Sequence, residues 1–251
     1  MSGHSKWAQI KRQKGVTDAR RGQLFTKLTR EIIVAAREGG SNSETNFRLR
    51  LAVQKARDSN MPNENIERAI KRGSGELEGA TLTEMVLEGY GPNGVAILVQ
   101  ALSDNRNRTL QDVRNIFTRQ GSSLGESGCV AWLFDSKGVI TVNTNDLDVE
   151  ELELQAIDAG AEDVKEENSY VEIYTKPEDL EMVRAALAGK NLPITSAEVS
   201  MVPKTTVDLD DKAAIQTLRL LDKLEELDEV QQVTCNADFS DSIIEKYHQQ
   251  T

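Results

Sequence analysis

The stretch that most limits what this chain can fold into lies in its middle. Residues 137–203 read as strand 137–142, a helix from about Asp146 to Ala159 stopped by Gly160, then strands 162–166 and 170–175. Pro177 opens a second helix through Leu180, Val183 and Leu187, Gly189 stops it, and strand 194–202 closes the run. A β-α-β-β-α-β order of this length is the ferredoxin-like arrangement. The flanking sequence predicts a second unit of similar content. Strands 83–89 and 94–103 are joined through Tyr90-Gly91-Pro92-Asn93-Gly94, which is dense in turn formers. An amphipathic helix over 107–119 turns Leu110, Val113, Ile116 and Phe117 inward. The Gly/Ser stretch 121–128 leads to a strand Cys129–Phe134, and helix 211–226 with strand 230–235 completes the set. The middle segment is therefore inserted in its neighbour.

Ahead of these units the period is helical. Residues 1–21 are polar and basic with no sustained apolar period, and read as an arm. Leu24, Phe25, Leu28, Ile32, Ala35 and Ala36 then recur at helical spacing up to Gly39-Gly40. Ser41 with Glu44 has the form of a capping box opening a second helix, which buries Phe47, Leu51 and Ala56 or the overlapping Leu49–Val53 stripe. Pro62 suits the start of a third helix carrying Ile66, Ala69 and Ile70, with Gly73 as its stop. The expected fold is α+β in three domains. These are a basic three-helix domain with its arm (1–75) and two ferredoxin-like α+β domains, one (136–203) inserted in the other (81–135 with 204–238). A loosely held tail (239–251) follows.

Charge divides the chain in the same place. The formal total is −11, yet residues 1–75 hold 16 Lys and Arg against 7 Asp and Glu, a net of +9, and the remainder carries −20. Asymmetry of this size points to a polyanion-binding front joined to a body that repels polyanions. No apolar run approaches a bilayer span, the best being Val95–Val99, and the N-terminus lacks the apolar core of a secretory signal. Cys129 and Cys235 read as buried hydrophobes in a reducing cytoplasm.

Catalysis needs chemically matched side chains held together, and the inventory is thin. His4 and His248 lie near opposite termini. Asp208, Asp210 and Asp211 read as a cap for the helix at 211, with a Mg²⁺ site and a metal-dependent hydrolase as the rival reading. There is no phosphate loop and no dinucleotide fingerprint. The expectation is no enzyme, no cofactor, no metal, no small-molecule substrate and no membrane.

Nucleic-acid features are richer. Lys6, Lys11, Arg12, Lys14, Arg20 and Arg21 can each neutralise a phosphate. Trp7 among them either stacks on an unpaired base or packs back on the first helix. Arg68, Lys71 and Arg72 form a second cluster, where they also suit a helix C-terminus. In Asp104-Asn105-Arg106-Asn107-Arg108-Thr109 the first residues can cap a helix, and Arg106 and Arg108 exceed what capping requires. The thin loop at Tyr90, Gly91 and Pro92 permits close backbone approach to a partner, though hairpin geometry explains it equally well.

Several of these strings are long enough to be specific. Gly3-His4-Ser5-Lys6-Trp7 with Ile10-Lys11 and Lys14, Asn60-Met61-Pro62 with Asn65-Ile66-Glu67-Arg68-Ala69-Ile70, and Glu88-Gly89-Tyr90-Gly91-Pro92 all match one family. So do Asp104–Thr109 and Gly125-Glu126-Ser127-Gly128 followed by Val130, Trp132 and Phe134. Over residues 1 to about 240 the chain resembles the YebC/PmpR family, which includes the mitochondrial translational activator of cytochrome oxidase subunit one. Asn93 stands where a glycine is usual and Cys129 where a serine is common. The resemblance implies three domains, a cytoplasmic location and no enzymatic activity. It also implies a regulator of gene expression that binds DNA, or a ribosome-associated translation factor that binds ribosomal RNA and relieves stalls at sequences such as proline runs. A protein-interaction module using the acidic domains is the reading from another class.

Overall fold

A buried asparagine fastens the first two helices together. In the computed structural model, which describes residues 18–144, 147–167 and 169–249, α1 (Asp18–Gly39) is followed by α2 (Phe47–Asp58) and α3 (Asn63–Gly73). The start of α2 is set by Asn46 and not by Ser41 with Glu44. Its side-chain oxygen accepts from the Leu49 amide at 3.0 Å, while its nitrogen donates to the carbonyls of Ala35 and Gly40 at 2.7 and 2.8 Å. One amide thereby satisfies a helix start and the end of the preceding helix, which a serine hydroxyl could not do. Leu28, Ile32, Leu49, Ala52, Ala56, Ile66 and Ala69 form the core of the three helices. Gly73 is the last residue of α3, as expected, and it has a packing role besides. A Cβ there would lie 2.5 Å from the Ile33 carbonyl oxygen and 2.6 Å from Ala36 Cβ, so glycine allows α3 to press onto α1. The left-handed turn comes two residues later, at Gly75.

Next, β1 (Thr83–Tyr90) and β2 (Ala96–Ser103) pair antiparallel from Thr83–Ser103 to Tyr90–Ala96. They are followed by α4 (Arg106–Arg119) and the short β3 (Ser123–Leu124). The strand expected at Cys129–Phe134 does not form. Residues 131–133 are a 3₁₀ turn, because the buried Glu88 carboxylate on β1 takes the amides of Gly128, Val130 and Ala131 at 2.6, 2.7 and 2.8 Å. The strand begins at Phe134 and absorbs the one expected at 137.

That strand, β4 (Phe134–Asn143), opens a compact unit spanning 134–204 with α5 (Val149–Asp158), β5 (Asp163–Glu167), β6 (Tyr170–Thr175), α6 (Leu180–Gly189) and β7 (Ile194–Pro203). The sheet order is β5-β6-β4-β7, every pair antiparallel, which is the ferredoxin-like order. Asp148 caps α5 through the amides of Glu150 and Glu151, so the helix starts later than expected.

The chain then returns to the first unit through β8 (Val207–Asp208), α7 (Asp211–Glu225), β9 (Val230–Cys235), β10 (Ala237–Asp238) and α8 (Asp241–Gln249). Asp210 caps α7 through the Ala213 amide at 2.8 Å, giving this acidic cluster a structural task. The sheet order β3-β1-β2-β9 repeats the ferredoxin-like spatial order, with the chain entering one strand early. Residues 239–249 are not a loose tail. Phe239, Ile243 and Tyr247 are buried in the same core as Leu218, Leu221 and Val233, and the Tyr247 hydroxyl donates to Asp222.

Candidate nucleic-acid interface

Not every basic residue of the N-terminal third is available to a ligand. Lys27 donates to the Glu225 carbonyl at 2.6 Å and Gln23 to the Glu226 carbonyl at 2.5 Å, which satisfies orphan carbonyls at the end of α7. Arg30 donates to the Leu102 carbonyl at 2.8 Å and pairs with Glu229, and Arg37 donates to the Leu82 carbonyl. Together with Val34 packed on Leu82 and Leu102, these contacts seat α1 against the first sheet and α7.

The sequence-predicted residues divide. Lys6, Trp7, Lys11, Arg12 and Lys14 lie outside the described residues. Arg20 and Arg21 stand exposed in the first turn of α1, with no ion pair among the described residues. Cations at a helix N-terminus oppose its dipole, so helix stability does not account for them. Arg68, Lys71 and Arg72 are exposed on α3, again with no ion pair among the described residues. Arg68 and Arg72 line an open cleft of about 440 Å³ between α3 and α1. Lys71 is not part of its lining.

Arg106 and Arg108 part company. Asn105 caps α4 by accepting the Arg108 amide at 3.1 Å. The Arg108 guanidinium reaches Asp104 at 2.7 Å and Glu229 at 3.1 Å, and the Asp104 charge, aided by Glu229, raises its pKa further above the ordinary arginine value. Its charge is met within the fold. Arg106 is exposed and has no ion pair among the described residues.

At the loop between β1 and β2, Asn93 adopts a left-handed conformation (φ 54°) and Gly94 follows it (φ 78°), which fits a position where the family usually has glycine. Gly91 and Pro92 are half-buried, and a Cβ on Gly91 would come within 2.9 Å of Ile97. The loop's shape thus owes much to packing. The Tyr90 hydroxyl and the Trp132 indole N–H both donate to the Cys129 carbonyl, at 3.0 and 3.1 Å, and both rings are exposed. Sequence reasoning singled out Tyr90 but missed Trp132 beside it, because Trp132 sits in a stretch with strand periodicity. It also missed Asn65, which lines the α1–α3 cleft; its spacing of three from Arg68 is the signal that could have found it.

Among the described residues no cluster of His, Cys, Asp and Glu is arranged to hold a metal ion, and no helix is long and apolar enough to cross a membrane. Cys235 is fully buried, and burial pushes its thiol up to about 12, far from a nucleophile's range.

Against this geometry the relatives are consistent. Two family profiles match, one described as the N-terminal domain of TACO1/YebC proteins over residues 5–76 and one as their second and third domains over residues 82–237. A protein of Dehalococcoides mccartyi strain CBDB1, named a probable transcriptional regulatory protein, is 62% identical over 100% of both chains. One of the same name from Moorella thermoacetica is 57% identical over 98% of this chain and 99% of its own. The crystal structure of a conserved hypothetical protein from Aquifex aeolicus, 50% identical, superposes with a TM-score of 0.85 over 94% of this chain and 98% of that one. The chain described here belongs to the TACO1/YebC family.

Proposed function

We propose that this protein is a non-enzymatic, nucleic-acid-binding regulator of gene expression, with residues 1–75 as the binding domain. The observation that carries the reading is that Arg20, Arg21, Arg68, Lys71, Arg72 and Arg106 are exposed without ion pairs among the described residues, in a chain whose total charge is −11. A solvated surface in an acidic protein would be expected to neutralise such groups with its abundant carboxylates, as Asp104 and Glu229 do for Arg108. Lys6, Lys11, Arg12 and Lys14 extend the same charge, and Trp7 adds a ring able to stack. The relatives' name supports a role in gene regulation.

A second reading places the protein on ribosomal RNA as a translation factor. It is favoured by the net charge of −10 on residues 134–204, 6 Lys and Arg against 16 Asp and Glu, which suits a small basic contact better than a long track along duplex DNA.

The test is the affinity for labelled duplex DNA and for ribosomal RNA fragments across a salt series. Each phosphate contact adds about one to the slope of log K against log salt. Replacing Lys6, Lys11, Arg12 and Lys14 together with alanine is expected to reduce that slope by about three to four. Affinity that is weak for every nucleic acid and flat in salt would overturn the proposal. Promoter DNA or ribosomal RNA as the tighter ligand decides between its two forms.

A further inference from the structure

The cleft beside α1 carries more than charge. Its walls are two facing helical stripes: Asn65, Arg68 and Arg72 recur at i, i+3 and i+7 along α3, opposite Phe25, Thr26 and Thr29 on α1. The close approach at Gly73 sets the separation of the two helices at one end. Ile33, Met61 and Leu82 supply an apolar floor.

Of the polar groups along these walls, Arg30 is held by the Leu102 carbonyl and Glu229, and the others keep hydrogen-bonding or charge capacity for a ligand. Arg68 and Arg72 are one turn apart, so each disfavours the other in an isolated helix, and neither has an ion pair among the described residues. Asn65 is half-buried, and among the described residues its amide side chain makes no hydrogen bond. Thr26 and Thr29 donate their hydroxyl protons to the carbonyls of Gly22 and Phe25, which leaves oxygen lone pairs as acceptors. Asp104 on the rim is paired with Arg108 and does not cancel the arginines.

Two cations without ion pairs among the described residues, beside an apolar floor and one amide that both donates and accepts, match an anionic group attached to a flat ring with a polar edge. The volume of about 440 Å³ is that of a small-ligand pocket. We infer that the α1–α3 cleft takes one unpaired nucleotide, its phosphate on Arg68 and Arg72, its base over Phe25 and Ile33, and Asn65 on the base edge. A base inside a duplex has its faces stacked and its pairing edge occupied, so it cannot enter. The inference rests on the nucleic-acid reading and deepens it, giving the N-terminal domain a preference for single strands. A nucleotide within a strand and a free nucleotide share this chemistry.

Fluorescence anisotropy on the full chain tests it, with a labelled mixed-sequence single-stranded RNA, the same sequence as a duplex, and free nucleoside monophosphates as competitors. Arg68→Gln with Arg72→Gln is expected to weaken the single strand about tenfold or more and the duplex less than about threefold. Asn65→Ala is expected to alter preference among homopolymer strands while leaving duplex affinity unchanged. All three side chains are off the core, and thermal melts matching the parent establish that the variants fold. Monophosphates that bind saturably, and lose binding in the double variant, support the cleft and make the free nucleotide its occupant; strand selectivity without monophosphate binding supports the strand. Equal losses on strand and duplex, or no loss on either, overturn the inference while the proposed function stands. A parent protein that binds monophosphates through the two arginines but no nucleic acid keeps the cleft and overturns the proposed function. Binding of neither overturns both.

Discussion

Replacing Glu88 with alanine is expected to lower the stability of the first unit by about 3–5 kcal/mol, because it strips the acceptor from three backbone amides, one of them buried, at a cost of roughly 1–3 kcal/mol each. The carboxylate is 4% exposed and accepts from Gly128, Val130 and Ala131. Burial alone would raise its pKa, but the three N–H donors outweigh burial and hold it below the ordinary glutamate value. A depressed folded-state pKa stabilises above the unfolded value of about 4.3, and that contribution is lost as pH falls through the lower folded value. The melting temperature of Glu88→Ala should therefore fall by roughly 10 °C at neutral pH, and the gap from the parent should narrow below about pH 4. Glu88→Gln keeps one acceptor oxygen and should lose less. In a Trp7→Phe background, Trp132 fluorescence reports the local change, since its indole is tied to the segment this carboxylate orders. A Glu88→Ala protein melting within a degree or two of the parent would remove the clamp from the account.

The same carboxylate explains why part of the fold was hidden in the sequence. Val130, Trp132 and Phe134 alternate as a strand should, and nothing within the segment argues otherwise. What stops the strand is an acceptor 40 residues upstream that claims its amides. Asn46 is a similar case, since its choice as a cap depends on carbonyls of the preceding helix. By contrast, α7 buries Leu218, Leu221 and Leu224 at one helical spacing, and β2 is an apolar run bounded by the turn formers at 90–94, so local sequence located both. The candidate interface was legible as charge but not as shape. Arg68 and Arg72 announce themselves, whereas Phe25 and Thr29, which face them across the cleft, are about 40 residues away and have no local signal. The converse also holds. Lys27, Arg30 and Arg37 count toward the basic surplus on paper, and the fold uses them to hold backbone carbonyls.

The C-terminal segment is the other place where local sequence carried too little signal, with three anchors set four residues apart in a polar run, and it yields the second large effect. Phe239 is fully buried in the core that includes Leu218, Leu221 and Val233, and Ile243 and Tyr247 follow it at a spacing of four. Phe239→Ala removes a ring from a close-packed site and is expected to cost about 3–5 kcal/mol, a large share of a domain stability of roughly 5–15 kcal/mol. A chain ending at Asp238 loses all three side chains and the Tyr247–Asp222 hydrogen bond, and should lose its cooperative transition for the first unit. The consequence reaches the cleft. The helix stripped of this support is α7, whose final carbonyls are held by Lys27 and Gln23 of α1, the helix that forms one cleft wall. Phe239→Ala should therefore loosen α1, and hydrogen exchange over residues 23–33 should rise alongside exchange in α7. Were the segment merely a tail, the substitution would behave like a surface change, within about 0.5 kcal/mol, and exchange in α1 would match the parent. Calorimetry on Phe239→Ala, with Phe239→Leu as the smaller change, separates the two outcomes.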